Sequence, residues 1–264
     1  MKTLDNSIHG LILDMDGVLY TDSSPIGDLP AIFGRIEDRG MKAVMATNNS
    51  TRSVEMHLDR FAKYGVRLEP WQVVTSADAV AELLKNSLPA GSPIFAIGEP
   101  GLMETLSQAN FELLSVEEAE KGKAVVFGID RKISFEKMVE ATLLVRSGIP
   151  FYATNPDITF PTPRGQIPGN GAWYSVIESA TNIKPIIAGK PYPYIMELAL
   201  QRLGMNKDEV VVVGDRIETD IVGGQAIGCK TALVLSGIST KAQGEAWQPK
   251  ITYITTDLTA LVNE

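Results

Sequence analysis

Two aspartates, Asp14 and Asp16, close the short apolar run LIL and are followed by Gly17. Glycine allows a sharp turn at that point, so the pair is expected where a strand gives way to a loop. Carboxylates held this close resist ionising together unless a cation is at hand or one of them keeps its proton. Asp215 and Asp220 end another apolar run, VVVVG, and would make the crowding worse. The expected remedy is Mg2+, a hard cation that favours oxygen donors. Such a set suits nucleophilic chemistry, with Asp14 as the attacking carboxylate and Asp16 as general acid for a leaving oxygen, then base for water. Lys190 would offset the charge of a phosphoryl group. Thr47 and Asn48, in the segment ATNNS, would hold its equatorial oxygens through hydroxyl, amide and backbone N–H groups. Phosphoryl transfer is chiefly positioning plus electrostatics, so these few groups suffice.

Residues so far apart in the chain need a scaffold that gathers them. Short apolar runs alternate with helix-period segments: LILDM near 11, KAVMAT near 42, FAIG near 95, KAVVFGI near 123, FYAT near 151, IIAG near 186, VVVVG near 210 and TALVL near 231. That rhythm predicts an α/β protein with a Rossmann-like parallel sheet. The unbroken apolar character of LIL and VVVV predicts central strands covered on both faces. Between runs, Ser53 to Tyr64 reads as a helix with Val54, Leu58, Phe61 and Ala62 on one face and Gly65 as its stop. Asp14 and Asp16, Thr47 and Asn48, Lys190 after IIAG, and Asp215 all stand at the C-terminal ends of candidate core strands. In open parallel sheets the ligand crevice lies beyond those ends. More than half of the chain separates Thr47 from Lys190, whereas a crossover between neighbouring parallel strands needs only about a dozen residues. An inserted α/β domain is therefore expected over 79–181, with helices at 101–110, 134–147 and 172–180 and a loop at PTPRGQIPGNG, 161–171. Residues 1–78 and 182–264 would form the core domain.

The segments LILDMDGVLY, ATNNS, GKPYPYI and VVVGDRIETDI resemble the four motifs of the haloacid dehalogenase superfamily, in that superfamily's order. The insertion, with TNPDITFPTPRGQIPGNGA inside it, is similar to the C2-type cap of subfamily IIA, the NagD-like and 4-nitrophenylphosphatase branch, so the resemblance spans the chain. It implies a Mg2+-dependent phosphatase acting on small phosphorylated metabolites (nucleotide, sugar or aryl phosphate monoesters) through an aspartyl-phosphate on Asp14. It further implies that Asp14 and Asp215 give carboxylate oxygens to the metal and Asp16 its main-chain carbonyl, with Asp220 near the metal's waters. The aspartate at position 16 points to ester hydrolysis, because dehalogenating and phosphonate-cleaving members of the superfamily lack it.

The bulk properties agree with a small substrate. A net charge of −8 opposes nucleic acid and anionic membranes, which are held mainly by Lys and Arg. No run of about 18 uncharged apolar residues exists to cross a bilayer. The N-terminal MKTLDNSIHGLILDMDG lacks the stretch of roughly 7 to 15 apolar residues that a signal peptide wants. Cys229 is the single cysteine and cannot form an internal disulfide; a cytoplasmic location follows as the expectation. A homodimer is compatible with this reading. Some polar residues have ordinary explanations. Asn155 and Asp157, in Asn-Pro-Asp, read as a turn; Asp130, Arg131 and Arg164 as surface charge; Ser50 as a helix cap; and Asp220 as either a helix-start residue or part of the metal's surroundings. His9 and His57 have no metal partners at useful spacing. Two other activities fit part of the pattern: a phosphotransferase or phosphomutase, differing only in the acceptor, and a phospho-accepting signalling receiver, which leaves the insertion and Asp16 without a task.

Overall fold

Two sheets carry the fold in the computed structural model, which describes residues 4–21, 24–162 and 164–263. In chain order their strands are β1 (Gly10–Leu13), β2 (Lys42–Thr47), β3 (Val73–Thr75), β4 (Pro93–Ile97), β5 (Glu112–Leu113), β6 (Val125–Phe127), β7 (Phe151–Ala153), β8 (Ile186–Ile187), β9 (Val210–Gly214), β10 (Lys230–Val234) and β11 (Tyr253–Thr255). The helices that matter below are α1 (Leu29–Asp38), α2 (Val54–Lys63), α3 (Ser76–Ser87), α4 (Pro100–Gln108), α5 (Phe135–Arg146), α6 (Asn170–Thr181) and α7 (Pro193–Leu203).

The first sheet has the order β11-β10-β9-β1-β2-β3, and β1 pairs in parallel with β2 and with β9. Its central strands β1 and β9 carry no polar side chain because both faces are covered. Leu11, Leu13, Met45, Val211 and Val213 bury one face against Leu29, Ile32, Phe33 and Ile36 of α1 and Phe61 of α2. Ile12, Val44 and Val212 alternate to the other face and are equally buried, with α7 packed along β1 and β2. Gly224 lies so close on that side that a Cβ there would meet Val212 at 2.8 Å. In α2 Phe61 is buried and Val54 and Leu58 pack against the same core, as expected, while Ala62 is exposed and His57 is buried as well.

The second sheet runs β8-β7-β6-β4-β5, with every pairing parallel. Phe95, Ile97, Val125, Phe127 and Phe151 bury one face against Ala141, Leu144 and Val145 of α5 and Tyr174 and Ile177 of α6. IIAG was expected to end as a core strand, but it forms the two-residue β8 on the edge of this second sheet, Ile186 opposite Tyr152. Such short edge strands carry one buried and one exposed side chain, as Ile187 and Ile186 do. PTPRGQIPGNG is not a plain loop either: Thr159–Thr162 and Gly165–Pro168 pair as an antiparallel hairpin, and α6 starts at Asn170. Position 163 lies outside the described residues.

The chain divides into two compact units, one containing the segment up to Thr47, Val54–Val74 and the segment from Lys190 onward, the other Asn48–Ser53 and Thr75–Gly189. These bounds are wider for the second unit than the expected 79–181. Thr75 caps α3 by accepting the Asp78 N–H, so the whole helix goes with that unit. Asn48–Ser53 goes with it too, since the Gly101 N–H donates to the Thr51 carbonyl at 3.2 Å and the Ser50 hydroxyl to Thr154 at 3.2 Å. No helix among the described residues is long and apolar enough to cross a membrane.

Candidate active site

Strands β1, β2 and β9 are parallel neighbours, with Leu13 level with both Met45 and Val213, so their C-terminal ends share one edge. Asp14 follows β1, Thr47 ends β2, and Asp215 follows β9; register alone brings these three to that edge. The Asp14 N–H donates to the Val213 carbonyl at 2.9 Å, and the ladder stops there. Met15 is fully buried, its carbonyl accepts the Leu19 and Tyr20 N–H groups, and Gly17 takes a positive φ of 84°. The turn leaves Asp14 partly buried and Asp16 exposed.

Asp220 reaches the same place by a different route. After Asp215 the chain makes one π-helical turn, Ile217–Ile221, that buries Asp220. Its Oδ2 accepts the Arg216 N–H at 3.1 Å and its Oδ1 accepts Lys190 Nζ at 2.7 Å. Gly214 makes room for this, because any Cβ at 214 would overlap the Asp220 side chain. Lys190, only 2% exposed, also donates to Asp14 Oδ1 at 2.5 Å. One ammonium thus bridges two acids.

Among the described residues, one carboxylate oxygen from each of Asp14, Asp215 and Asp220 lies within 4.8 Å of the others. Burial raises Asp14 well above the usual carboxylate range; Lys190 opposes this, while Asp220 and Asp215 add to it. Burial and then Asp220 push Asp215 up to about 6, against the Ile238 N–H and Lys190. Burial works against the charge on Lys190, but Asp14 and Asp220 outweigh it and hold the amine above its ordinary value. The cluster is therefore short of positive charge, and its donors are all hard oxygens, with no thiol or imidazole among them. That donor set fits a hard divalent cation. The carboxylate of Asp16 stands outside the cluster. Both oxygens of Asp220 are already engaged.

Asn48, chain neighbour of Thr47, belongs to the second unit. Its amide donates to Asp157 Oδ2 at 3.3 Å, and its carbonyl accepts Ser76 Oγ at 2.7 Å and Asn155 Nδ2 at 2.8 Å. Asn155 and Asp157 make the expected turn, the Asp157 N–H donating to Asn155 Oδ1 at 3.1 Å, but they also hold Asn48. Ser50 is a hydrogen-bond partner of Thr154 and caps nothing; α2 begins only at Val54. Asp130 is not surface charge: it is buried and pairs with Lys137 at 2.6 Å. Arg131 pairs with Glu99 at 3.3 Å, and Arg164 is exposed at the hairpin tip.

Residues 235–240, between β10 and the helix Lys241–Ala246, touch the site without having been singled out in the sequence. The Ile238 N–H donates to Asp215 Oδ2 at 2.8 Å, and the Ser239 N–H to the Asp215 carbonyl at 3.0 Å. Ser236 Oγ donates to the Gly17 carbonyl at 2.7 Å, and Ser239 Oγ accepts the Ile217 N–H at 3.1 Å. The signal was available, since SGIS follows TALVL at the end of a strand beside β9.

Comparisons with known proteins agree with this arrangement. A family model described as haloacid dehalogenase-like hydrolase matches residues 11–112, and a second, HAD-hydrolase-like, matches 187–261. An acid sugar phosphatase of Staphylococcus aureus (strain USA300) is 35% identical over 253 residues, 96% of each chain. The structure of a p-nitrophenyl phosphatase from Archaeoglobus fulgidus superposes with a TM-score of 0.90 at 33% identity, covering 97% of this chain and 98% of that one. A glycerol phosphate phosphatase from Mycobacterium tuberculosis, solved in complex with magnesium, gives a TM-score of 0.90 at 31% identity, over 100% of this chain and 80% of that one.

Proposed function

Because the chain belongs to the haloacid dehalogenase-like hydrolase family, we propose that it hydrolyses phosphate monoesters of small metabolites, with Asp14 as the nucleophile. The observation that carries this reading is the trio of acids, Asp215 and Asp220 buried and Asp14 partly so, gathered around one buried lysine at the C-terminal edge of a parallel sheet. A small phosphate ester is a substrate that such a site can neutralise and hold.

In the first step a carboxylate oxygen of Asp14 attacks phosphorus, a P–O bond forms to the protein, and the bond to the ester oxygen breaks. Asp16 gives that departing oxygen its proton. In the second step water attacks the aspartyl-phosphate, Asp16 takes the proton back, and inorganic phosphate leaves with the Asp14 carboxylate restored. Lys190 stays charged throughout and offsets the negative charge of the phosphoryl oxygens, while Thr47 and Asn48 orient them. Asp14 and Asp215, with the main-chain carbonyl of Asp16, would hold Mg2+, which when bound supplies the positive charge that the acids lack. Asp220, which accepts from Lys190 Nζ and the Arg216 N–H, fixes Lys190 and would stand near the metal's waters. The second unit acts as the cap that selects the leaving group, and the protein works in the cytoplasm, in keeping with its single buried thiol.

A phosphate-release assay over sugar phosphates, glycerol phosphates, nucleoside monophosphates and 4-nitrophenyl phosphate tests the reading. Wild type with Mg2+ is expected to release phosphate, EDTA to stop it, and Asp14→Asn to abolish it. Undiminished release by that variant would remove Asp14 from the role of nucleophile.

A further inference from the structure

The acid cluster accounts for charge but not for why the Asp215 carboxylate keeps one orientation. Two glycines wall it in: a Cβ at Gly17 would lie 2.5 Å from Asp215 Cγ, and a Cβ at Gly237 would overlap Asp215 Oδ2. Their backbones differ, and the difference is useful. Gly17 has φ +84° and resists any side chain on conformational grounds, whereas Gly237 is outside the left-handed region, so an alanine there tests space alone. Between the two walls, the Ile238 N–H fixes Oδ2 at 2.8 Å, and the Ser236 hydroxyl ties its own loop to the Gly17 carbonyl at 2.7 Å.

We propose that Ser236, Gly237 and Ile238 form a positioning clamp that commits one oxygen of Asp215 to a main-chain N–H and presents the other to the divalent cation. The inference rests on the metal role given above to Asp14 and Asp215. None of the three residues touches substrate in this account. They act through Asp215, as the outer partners of metal ligands do when they fix a ligand's orientation. Ser236 also links the clamp to the turn that bears the Asp16 carbonyl, so one loop sets two of the metal's donors together.

Calorimetric titration of the full chain with Mg2+, alongside thermal unfolding without metal, separates positioning from general packing. Gly237→Ala is expected to weaken Mg2+ binding by about ten- to a hundredfold, and Ser236→Ala by a smaller factor, the range seen when the outer partners of metal ligands are lost. Ser236→Thr, which keeps the hydroxyl, should restore wild-type affinity. At saturating Mg2+ the substrate KM of Ser236→Ala should match that of wild type. Should Gly237→Ala fail to fold, the two serine variants decide. Wild-type Mg2+ affinity in folded Ser236→Ala would overturn the clamp while leaving the phosphatase reading intact, and so would a loss that the threonine does not rescue. Absence of Mg2+ binding by the wild type would overturn the metal reading, and the clamp with it.

Discussion

Lys190 holds two buried acids at once, so its removal is the most informative single change at the site. Lys190→Met keeps most of the length and removes the charge, leaving Asp14 and Asp220 without their shared ammonium. Breaking a buried ion pair from one side costs about 3–5 kcal/mol. Urea unfolding of the metal-free variant should show a loss of that order, and phosphate release should vanish with it; an unchanged unfolding midpoint would contradict the bridging role. Cys229 offers a pH test remote from these acids. Burial pushes its thiol up to about 11 from an ordinary 9.0, so at pH 8 the thiolate is about a hundredfold scarcer than for a free thiol, and labelling by a disulfide reagent should slow accordingly. The sign for stability follows: the buried neutral thiol favours the fold below about pH 9, and that margin is lost as pH rises through 11. Residue types made Asp14 and Asp215 candidates beforehand, because acids at the ends of apolar core strands stand out, whereas Lys190 and Asp220 were picked out by the motifs around them, one following an edge strand and the other lying inside a helical turn. Ser236 and Gly237 did not stand out, since a serine and a glycine beyond a strand are ordinary turn residues until coordinates show what they face.

Helix and strand signals differ in how far they carry. The cap of α3 is local: Thr75 Oγ1 accepts the Asp78 N–H at 3.1 Å and the Asp78 carboxylate accepts the Thr75 N–H at 2.8 Å. Thr75→Ala should cost about 1 kcal/mol, a drop of roughly 2–4 °C in the thermal unfolding midpoint of a chain this size, with α3 otherwise unchanged by circular dichroism. The core strands were readable because LIL and VVVV have no polar alternation, which only burial on both faces explains. IIAG misled for the opposite reason: its apolar run is as short as a strand core, but nothing in four residues says which of two parallel sheets it joins. PTPRGQIPGNG misled because proline and glycine usually mark loops, yet Pro161 and Pro168 sit on an isolated two-stranded hairpin where few ladder hydrogen bonds are required.

At the scale of the whole molecule, the presence of a divalent cation should be felt in global stability. A ligand that binds only the folded chain adds about 2.7 kcal/mol at a hundred times its Kd, so Mg2+ should raise the unfolding midpoint by several degrees and EDTA should reverse it; equal midpoints would argue against a cation at the acid cluster. The division of the chain was only partly legible. Sequence distance between Thr47 and Lys190 announced an insertion, but it could not reveal that Asn48–Ser53, so near the motif aspartates in order, is held by Thr154 and the start of α4. Family membership then rests on matches that span nearly the full chain. Gly17, Gly214 and Gly237 each exclude a side chain because an acid of the cluster already fills that space. In a saturation library selected for turnover, the columns of Gly17 and Gly214 should be nearly as empty as those of Asp14 and Asp215 and that of Gly237 visibly thinned, so a map of mutational tolerance would mark as costly three positions whose side chain is a hydrogen atom.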